Sequence, residues 1–230
     1  FRKSKGKEDS KRLASDLLTA KSRYSTDQLA DLIRAGTRNG EIQLEKRGRT
    51  YHVPHIRQWF RQRVEPNTVF LSKSDYHRAL AEGFELLVVG DIAKTDFGSS
   101  RQREFGQQWT DFIRGYLGEI AVKKYLRARN IEIRLGLSAP GSVDEYIESD
   151  IRKVRRNERE NWSVPSYNFS IKTSKLRSMW LGINENQIKK SDIFIFVKIG
   201  IKLDHITTFL KESKALDTLR DYFHSKKKVY

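Results

Sequence analysis

Cysteine is absent from the 230 residues. That excludes disulfides, thiolate zinc sites and a cysteine nucleophile, and it fits a reducing cytoplasm. Long apolar runs are missing too. The longest, around Leu86 to Val89 and Ile193 to Val197, fall far short of the roughly 20 residues that cross a bilayer. The basic stretch from Phe1 to Lys7 has no apolar segment behind it and does not read as a secretory signal. No P-loop, dinucleotide-binding fingerprint or nucleophile elbow occurs, which leaves ATP-driven and acyl-transfer chemistry without support. The five histidines, at 52, 55, 77, 205 and 224, show no metal-ligand spacing. Negative charge is the scarce sign: 29 Asp+Glu stand against 45 Lys+Arg, a net charge of +16. Such a surface favours a polyanionic partner.

The chain is long enough for one good core plus a small satellite, and its punctuation divides it at 1–65, 66–104 and 105–230. In the first part, Leu13, Leu17 and Leu18 recur at helical spacing. Ser25-Thr26-Asp27 caps a second helix carrying Leu29, Leu32 and Ile33, with Gly36 placed to end it. Residues 41–45 and 50–53 alternate around Lys46-Arg47-Gly48-Arg49, a hairpin with a basic tip, and Pro54 opens a third helix that buries Ile56, Trp59 and Phe60. Glu65-Pro66-Asn67-Thr68 marks a boundary. A helix over 74–89 follows with Leu80, Phe84 and Leu87 on one side, then a polar stretch from Lys94 to Arg103. A long helix ends near Arg129 and carries Trp109, Phe112, Ile113, Tyr116, Leu117, Ile120 and Ala121. Strands over 131–135, 167–173 and 193–203 and a helix over 207–223 complete an α/β layer.

Three residues carry a candidate chemistry. Glu119 interrupts the apolar face of the long helix, between Gly118 and Ile120. Asp150 precedes a basic run. Lys172 lies 22 positions further on, in a strand whose alternation sends Phe169 and Ile171 to one face and Ser170 and Lys172 to the other. Phosphodiester hydrolysis needs a delivered hydroxide, neutralised transition-state charge and help for the departing oxygen. Carboxylates that hold Mg²⁺, with a lysine nearby, can meet those needs.

In this order, helix with Glu119, strand, Asp150, strand with Ser170-Ile171-Lys172, strand, residues 105–205 resemble the PD-(D/E)XK nuclease superfamily, which includes type II restriction endonucleases, junction resolvases and Mrr-like enzymes. The resemblance implies a mixed central sheet flanked by helices, Mg²⁺ as cofactor, Glu119 and Asp150 as metal ligands and Lys172 as the catalytic lysine. Two positions depart from the family pattern: Ser149 replaces its proline and Ser170 its second acid. Some members with Ser-x-Lys take a glutamate 13 or 14 positions later. Glu185, 13 after Lys172, is then a metal-ligand candidate alongside Glu119, with Asp144 in reserve for Asp150. Residues 1–65 resemble a winged-helix DNA-binding module.

The expected activity is sequence-specific cleavage of double-stranded DNA by a homodimer, one site per strand. The alternatives are a structure-specific nuclease such as a junction resolvase and a non-catalytic winged-helix regulator. Phosphate contacts are expected from Arg47 and Arg49 of the wing, from Arg152, Lys153, Arg155 and Arg156, and from Lys175 and Arg177, which sit among Ser and Thr. Trp162 and Trp180 are available to stack on bases or to pack.

Overall fold

Ser25 opens the first fully capped helix, α1 (Thr26–Arg38). Its hydroxyl accepts from the Gln28 N–H at 3.2 Å while Gln28 Oε1 accepts from the Ser25 N–H at 2.8 Å, a reciprocal capping box. The computed structural model describes residues 10–11, 13–15, 17, 23–43, 45–47, 50–52, 55–89, 104–136, 149–178, 181–183, 185–201, 204–213 and 217. Contacts divide the chain into Phe1–Ile199 and Gly200–Tyr230.

Gly36 does not end α1 as its position suggests. It lies buried inside the helix, where a Cβ would stand 2.8 Å from both Ile42 Cδ1 and Trp59 Cζ2. Close packing, not termination, requires glycine there. The helix stops two residues later, and Gly40 takes a φ of +75° in the turn that follows. Ile42 turns inward to join Leu13, Ala14, Leu29, Ala30, Ile33, Phe60 and Val64 in one core. Strand pairing therefore begins later than the sequence pattern indicates. β1 (Glu45–Arg47) runs antiparallel to β2 (Thr50–His52) with Lys46 opposite Tyr51. His55, at φ 61°, starts α2 (Ile56–Trp59), which continues as a π-helical turn over Phe60–Val64 and a 3-10 turn over Glu65–Asn67. Ile56 and Trp59 pack on this core as expected.

A helix pair follows. α3 (Lys73–Val89) lies against α4 (Phe105–Arg127), where Gly83 admits Phe112 and Ile113 and the Trp109 indole donates to Leu80 O at 3.1 Å. The buried side of α3 is Ala79, Leu80, Leu86 and Leu87. Phe84, expected there, is 44% exposed and lies edge-on to Trp109 beside Phe105. The stretch 94–103 falls outside the described residues.

α4 packs on three strands. β3 (Glu132–Leu135) pairs antiparallel with β4 (Ile151–Arg155), and β5 (Phe169–Lys175) pairs parallel with β6 (Ile193–Ile199), with α5 (Glu185–Lys190) between those last two. A register shift between Arg134 and Leu135 leaves Arg152 as the extra residue, so that Ile151 and Val154 both turn inward. Val122, Ile133, Ile151 and Ile171 form the core beneath α4. Gly118 allows the close approach: a Cβ there would collide with Thr173 Cγ2 of β5. The chain is thus a mixed α/β protein, but the described strands form three two-stranded ladders and not one continuous sheet. Ser170, expected on an open face of β5, is 6% exposed.

In Gly200–Tyr230, α6 (His205–Glu212) is the described helix, preceded by Asp204 at its cap position. Leu216, Leu219 and Phe223 of the expected longer helix lie outside the described residues.

Candidate active site

Where β4 meets β5, side chains take over from the backbone ladder. The Asp150 N–H donates to Phe169 O at 2.8 Å, but the next two amides of β5 find other acceptors. The Phe169 N–H donates to Ser149 Oγ at 3.0 Å and the Ile171 N–H to Asp150 Oδ2 at 2.5 Å. Ser170 adds a hydroxyl bond to the same carboxylate. Ser149 ties the Phe169 amide to the Ile151 carbonyl on either side of Asp150, and Ser170 acts on the Asp150 carboxylate itself.

Asp150, Lys172 and Glu119 share this junction and act on one another electrostatically. Burial pushes the Glu119 carboxyl up to about 8, the nearby Asp150 and Glu82 charges push the same way, and Lys172 opposes them. Burial also raises Asp150, against the pull of the Ile171 N–H, the Lys172 ammonium and the Ser170 hydroxyl. Lys172 is lowered by its own desolvation, with Asp150 and Glu119 holding its proton on. Two acids and one cation in a poorly solvated place leave an excess of negative charge whenever both acids ionise. Coupled, shifted groups of this kind are concentrated at functional sites.

Glu82 was not evident from the sequence. It lies on α3 beside Gly83, the point where α4 crosses, and it forms an ion pair with Arg78 at 2.7 Å. Glu119 lies beside Gly118, the point where α4 meets β5. At both places an acid adjoins a helical glycine that admits a neighbouring element, and that shared pattern was the available signal.

Glu185 stands apart. In the first turn of α5 its side chain is 78% exposed and pairs with Lys189 at 2.9 Å, and it is not among the charges that shift Asp150, Glu119 or Lys172. Asp144 lies outside the described residues.

The expected phosphate-binding cations fall into three groups. Arg155 is committed to Glu132 through Nε at 2.8 Å and Nη2 at 2.5 Å, and Arg177 to Asp31 at 2.8 Å. Arg152, Lys153, Arg156 and Lys175 are exposed. Arg47 lies in β1, while Arg49 and Trp180 are outside the described residues.

Among the described residues no group of three or more His, Cys, Asp or Glu is placed to hold a metal ion. Two carboxylates nonetheless suit Mg²⁺, which is commonly held by one or two acids with water and substrate phosphate completing its shell. The mutual repulsion that helps hold Glu119 protonated is what a bound divalent cation would relieve. No protein-family model matches the chain, and no curated protein or solved structure matches it.

Proposed function

We propose that the protein is a Mg²⁺-dependent endonuclease that hydrolyses phosphodiester bonds of double-stranded DNA, acting as a homodimer on a specific sequence, with Asp150 and Glu119 as metal ligands and Lys172 as the catalytic lysine. One observation carries the reading: two desolvated carboxylates and a desolvated lysine, contributed by α4, by the residue just before β4 and by β5, interact at a single strand junction. Structural ion pairs are usually simpler and more exposed.

The strand order also supports a PD-(D/E)XK-like arrangement. β3, β4, β5 and β6 follow one another through two ladders, and the Asp150 to Phe169 backbone bond links those ladders, as in a mixed sheet opened locally by its own site.

Hydrolysis forms a P–O bond from water and breaks the P–O bond to the leaving oxygen, which must gain a proton. Bound Mg²⁺ would supply charge neutralisation and a more acidic water. Lys172, its proton retained by two acids, donates to phosphate oxygens as negative charge accumulates on them. Asp150 Oδ2 accepts from the Ile171 N–H, which orients the carboxylate.

Incubation of the chain with a mixed-sequence duplex and Mg²⁺, followed by sizing of the products, tests the proposal. Discrete fragments support it. Preference for branched substrates turns it into a structure-specific nuclease, and intact DNA retained by the protein at low salt turns it into a DNA-binding regulator.

A further inference from the structure

Two cations face each other across the β3–β4 ribbon. Arg134 is the direct cross-strand partner of Lys153, both are exposed, and among the described residues neither has an acidic partner. Like charges placed directly opposite destabilise a ladder. Each of the two positions could relieve that repulsion by carrying a neutral residue, yet the adjacent pair on the same face, Glu132 opposite Arg155, has opposite charges and bonds through a guanidinium fork. Charge is balanced at one rung and left positive at the next.

The ribbon also holds these groups in place. After β4 the chain turns back, and Val154 and Ser163 exchange backbone hydrogen bonds of 2.8 and 2.9 Å. That return brings Trp162 against two guanidinium groups, Arg134 at 4.4 Å and Arg155 at 4.6 Å from the ring centroid. Stacking on an aromatic face restricts Arg134 while leaving the in-plane N–H donors at its edge free to meet an anion. Arg155 is less available, because Glu132 takes its Nε and Nη2 donors and the Glu158 carbonyl its Nη1.

We infer that the β3–β4 ribbon is the surface that grips the duplex DNA backbone, with Arg134 and Lys153 contacting adjacent phosphates and with Trp162 and the Glu132–Arg155 pair as positioning residues. The inference rests on the reading of duplex DNA as substrate. Charge complementarity selects the occupant, since a chain of net charge +16 presents here two neighbouring exposed cations that have no acidic partner among the described residues. Asp150 immediately precedes β4, three residues before Lys153, so a backbone held on this ribbon runs toward the strand junction.

The test is fluorescence anisotropy of a labelled DNA duplex with the full chain in EDTA, repeated over a range of KCl concentrations. R134Q/K153Q should bind roughly 10- to 100-fold more weakly at low salt. The slope of log affinity against log salt should become shallower by about 1.8, at roughly 0.9 for each phosphate no longer neutralised. The weakening should be equal on unrelated sequences. K123Q/R127Q, on the exposed end of α4, should keep the slope. The melting temperature of R134Q/K153Q should equal or exceed that of the wild type, because a repulsion is removed. K153E, which restores opposite charges across the rung, should fold and still lose affinity.

A wild-type slope and affinity in folded R134Q/K153Q would overturn the assignment, as would wild-type protein that ignores duplex DNA and binds phosphatidylserine vesicles through these residues. A wild type that binds with a steep salt dependence but never cuts in Mg²⁺ sinks the nuclease reading and leaves this surface standing. A wild type that cuts, together with R134Q/K153Q that binds and cuts equally well, sinks this surface alone.

Discussion

Asp150, just before β4, and Lys153, within it, are three residues apart, yet they belong to opposite electrostatic regimes. Asp150 lies at the β4–β5 junction, desolvated, with its carboxylate oriented by an amide and a hydroxyl. Lys153 is on the solvent side of the ribbon, opposite another cation. Arg152 separates them: as the extra residue of the bulge it lets Ile151 and Val154 both turn into the core, and so turns Lys153 outward. The contrast shows how burial assigns work. A charge kept from water has an altered affinity for protons and is suited to chemistry, whereas an exposed charge is suited to attraction and grip.

The largest effects expected on breaking this contrast come from the buried side. Lys172→Ala should reduce cleavage by about 10³-fold or more, roughly 4 kcal/mol of transition-state stabilisation. DNA affinity in Ca²⁺ should stay within about tenfold, or roughly 1.4 kcal/mol. Asp150→Asn should match it in turnover. Single-turnover cleavage and anisotropy measured on the same duplex separate the two quantities. A Lys172→Ala enzyme cutting at the wild-type rate would remove the lysine from the mechanism.

Glu119 provides a test in stability. Its folded-state pKa, about 8, lies above the ordinary value of 4.5. Between those two values the native protein holds a proton that the unfolded chain has released, so the wild type loses stability as pH rises from 4.5, and the loss levels off above 8. Glu119→Gln cannot titrate. Its advantage over wild type should be near zero below pH 4.5, grow between 4.5 and 8 and stay constant beyond. The shift sets a ceiling of about 5 kcal/mol, and screening by water at a half-buried position leaves roughly 2–3 kcal/mol. Urea denaturation in metal-free buffer at pH 4, 6 and 8.5 reads it directly. A pH-independent difference would mean that Glu119 is ionised in the fold throughout that range.

Much of this arrangement was legible from residue order. The helix–strand–strand–strand sequence of the second half and the capped α1 follow from period, caps and spacing, and the grouping of Glu119, Asp150 and Lys172 from the resemblance in element order. Three features were hidden for physical reasons. Gly36 looked like a terminator because glycine is common at helix ends, but local propensity does not reveal Trp59 packing onto it from 23 residues away. The bulge at Arg152 broke the two-residue alternation on which strand reading depends. Glu82 joins the cluster only through the crossing of α3 and α4, a tertiary fact with a single local trace in Gly83. The single central sheet was expected because strand count and order do not show that two side chains, Ser149 and Asp150, take hydrogen bonds that a neighbouring strand would otherwise make.

A smaller effect belongs to the packing that brings the buried cluster together. Gly118→Ala replaces a poor helix former with the best one, a gain of about 1 kcal/mol in an isolated helix. The added methyl meets Thr173 on β5, and overpacking of that kind costs about 1–3 kcal/mol. The net result should be a loss of roughly 1 kcal/mol, with a larger proportional loss of cleavage because α4 is displaced from Asp150 and Lys172. Thr173→Ala in the same chain should restore both. Failure of that rescue would show that the spacing of α4 from β5 does not govern the site.

The smallest expected effect is the one that best separates the two candidate ligands. Glu185 fits the spacing of a relocated acid, but it occupies the exposed first turn of a six-residue helix and already pairs with Lys189. Exposed pairs of this kind contribute about 0.5 kcal/mol or less. Glu185→Gln should therefore leave both stability and cleavage within about twofold of wild type, while Glu119→Gln abolishes cleavage. Loss of activity in Glu185→Gln at unchanged stability would reverse the assignment: α5 would then have to close onto the strand junction when substrate and metal bind, and Glu119 would return to being a neutral buried acid. Buffer-dependent calorimetry of Mg²⁺ binding near pH 7 tests Glu119 directly, since ligation by a carboxyl raised to about 8 releases nearly one proton.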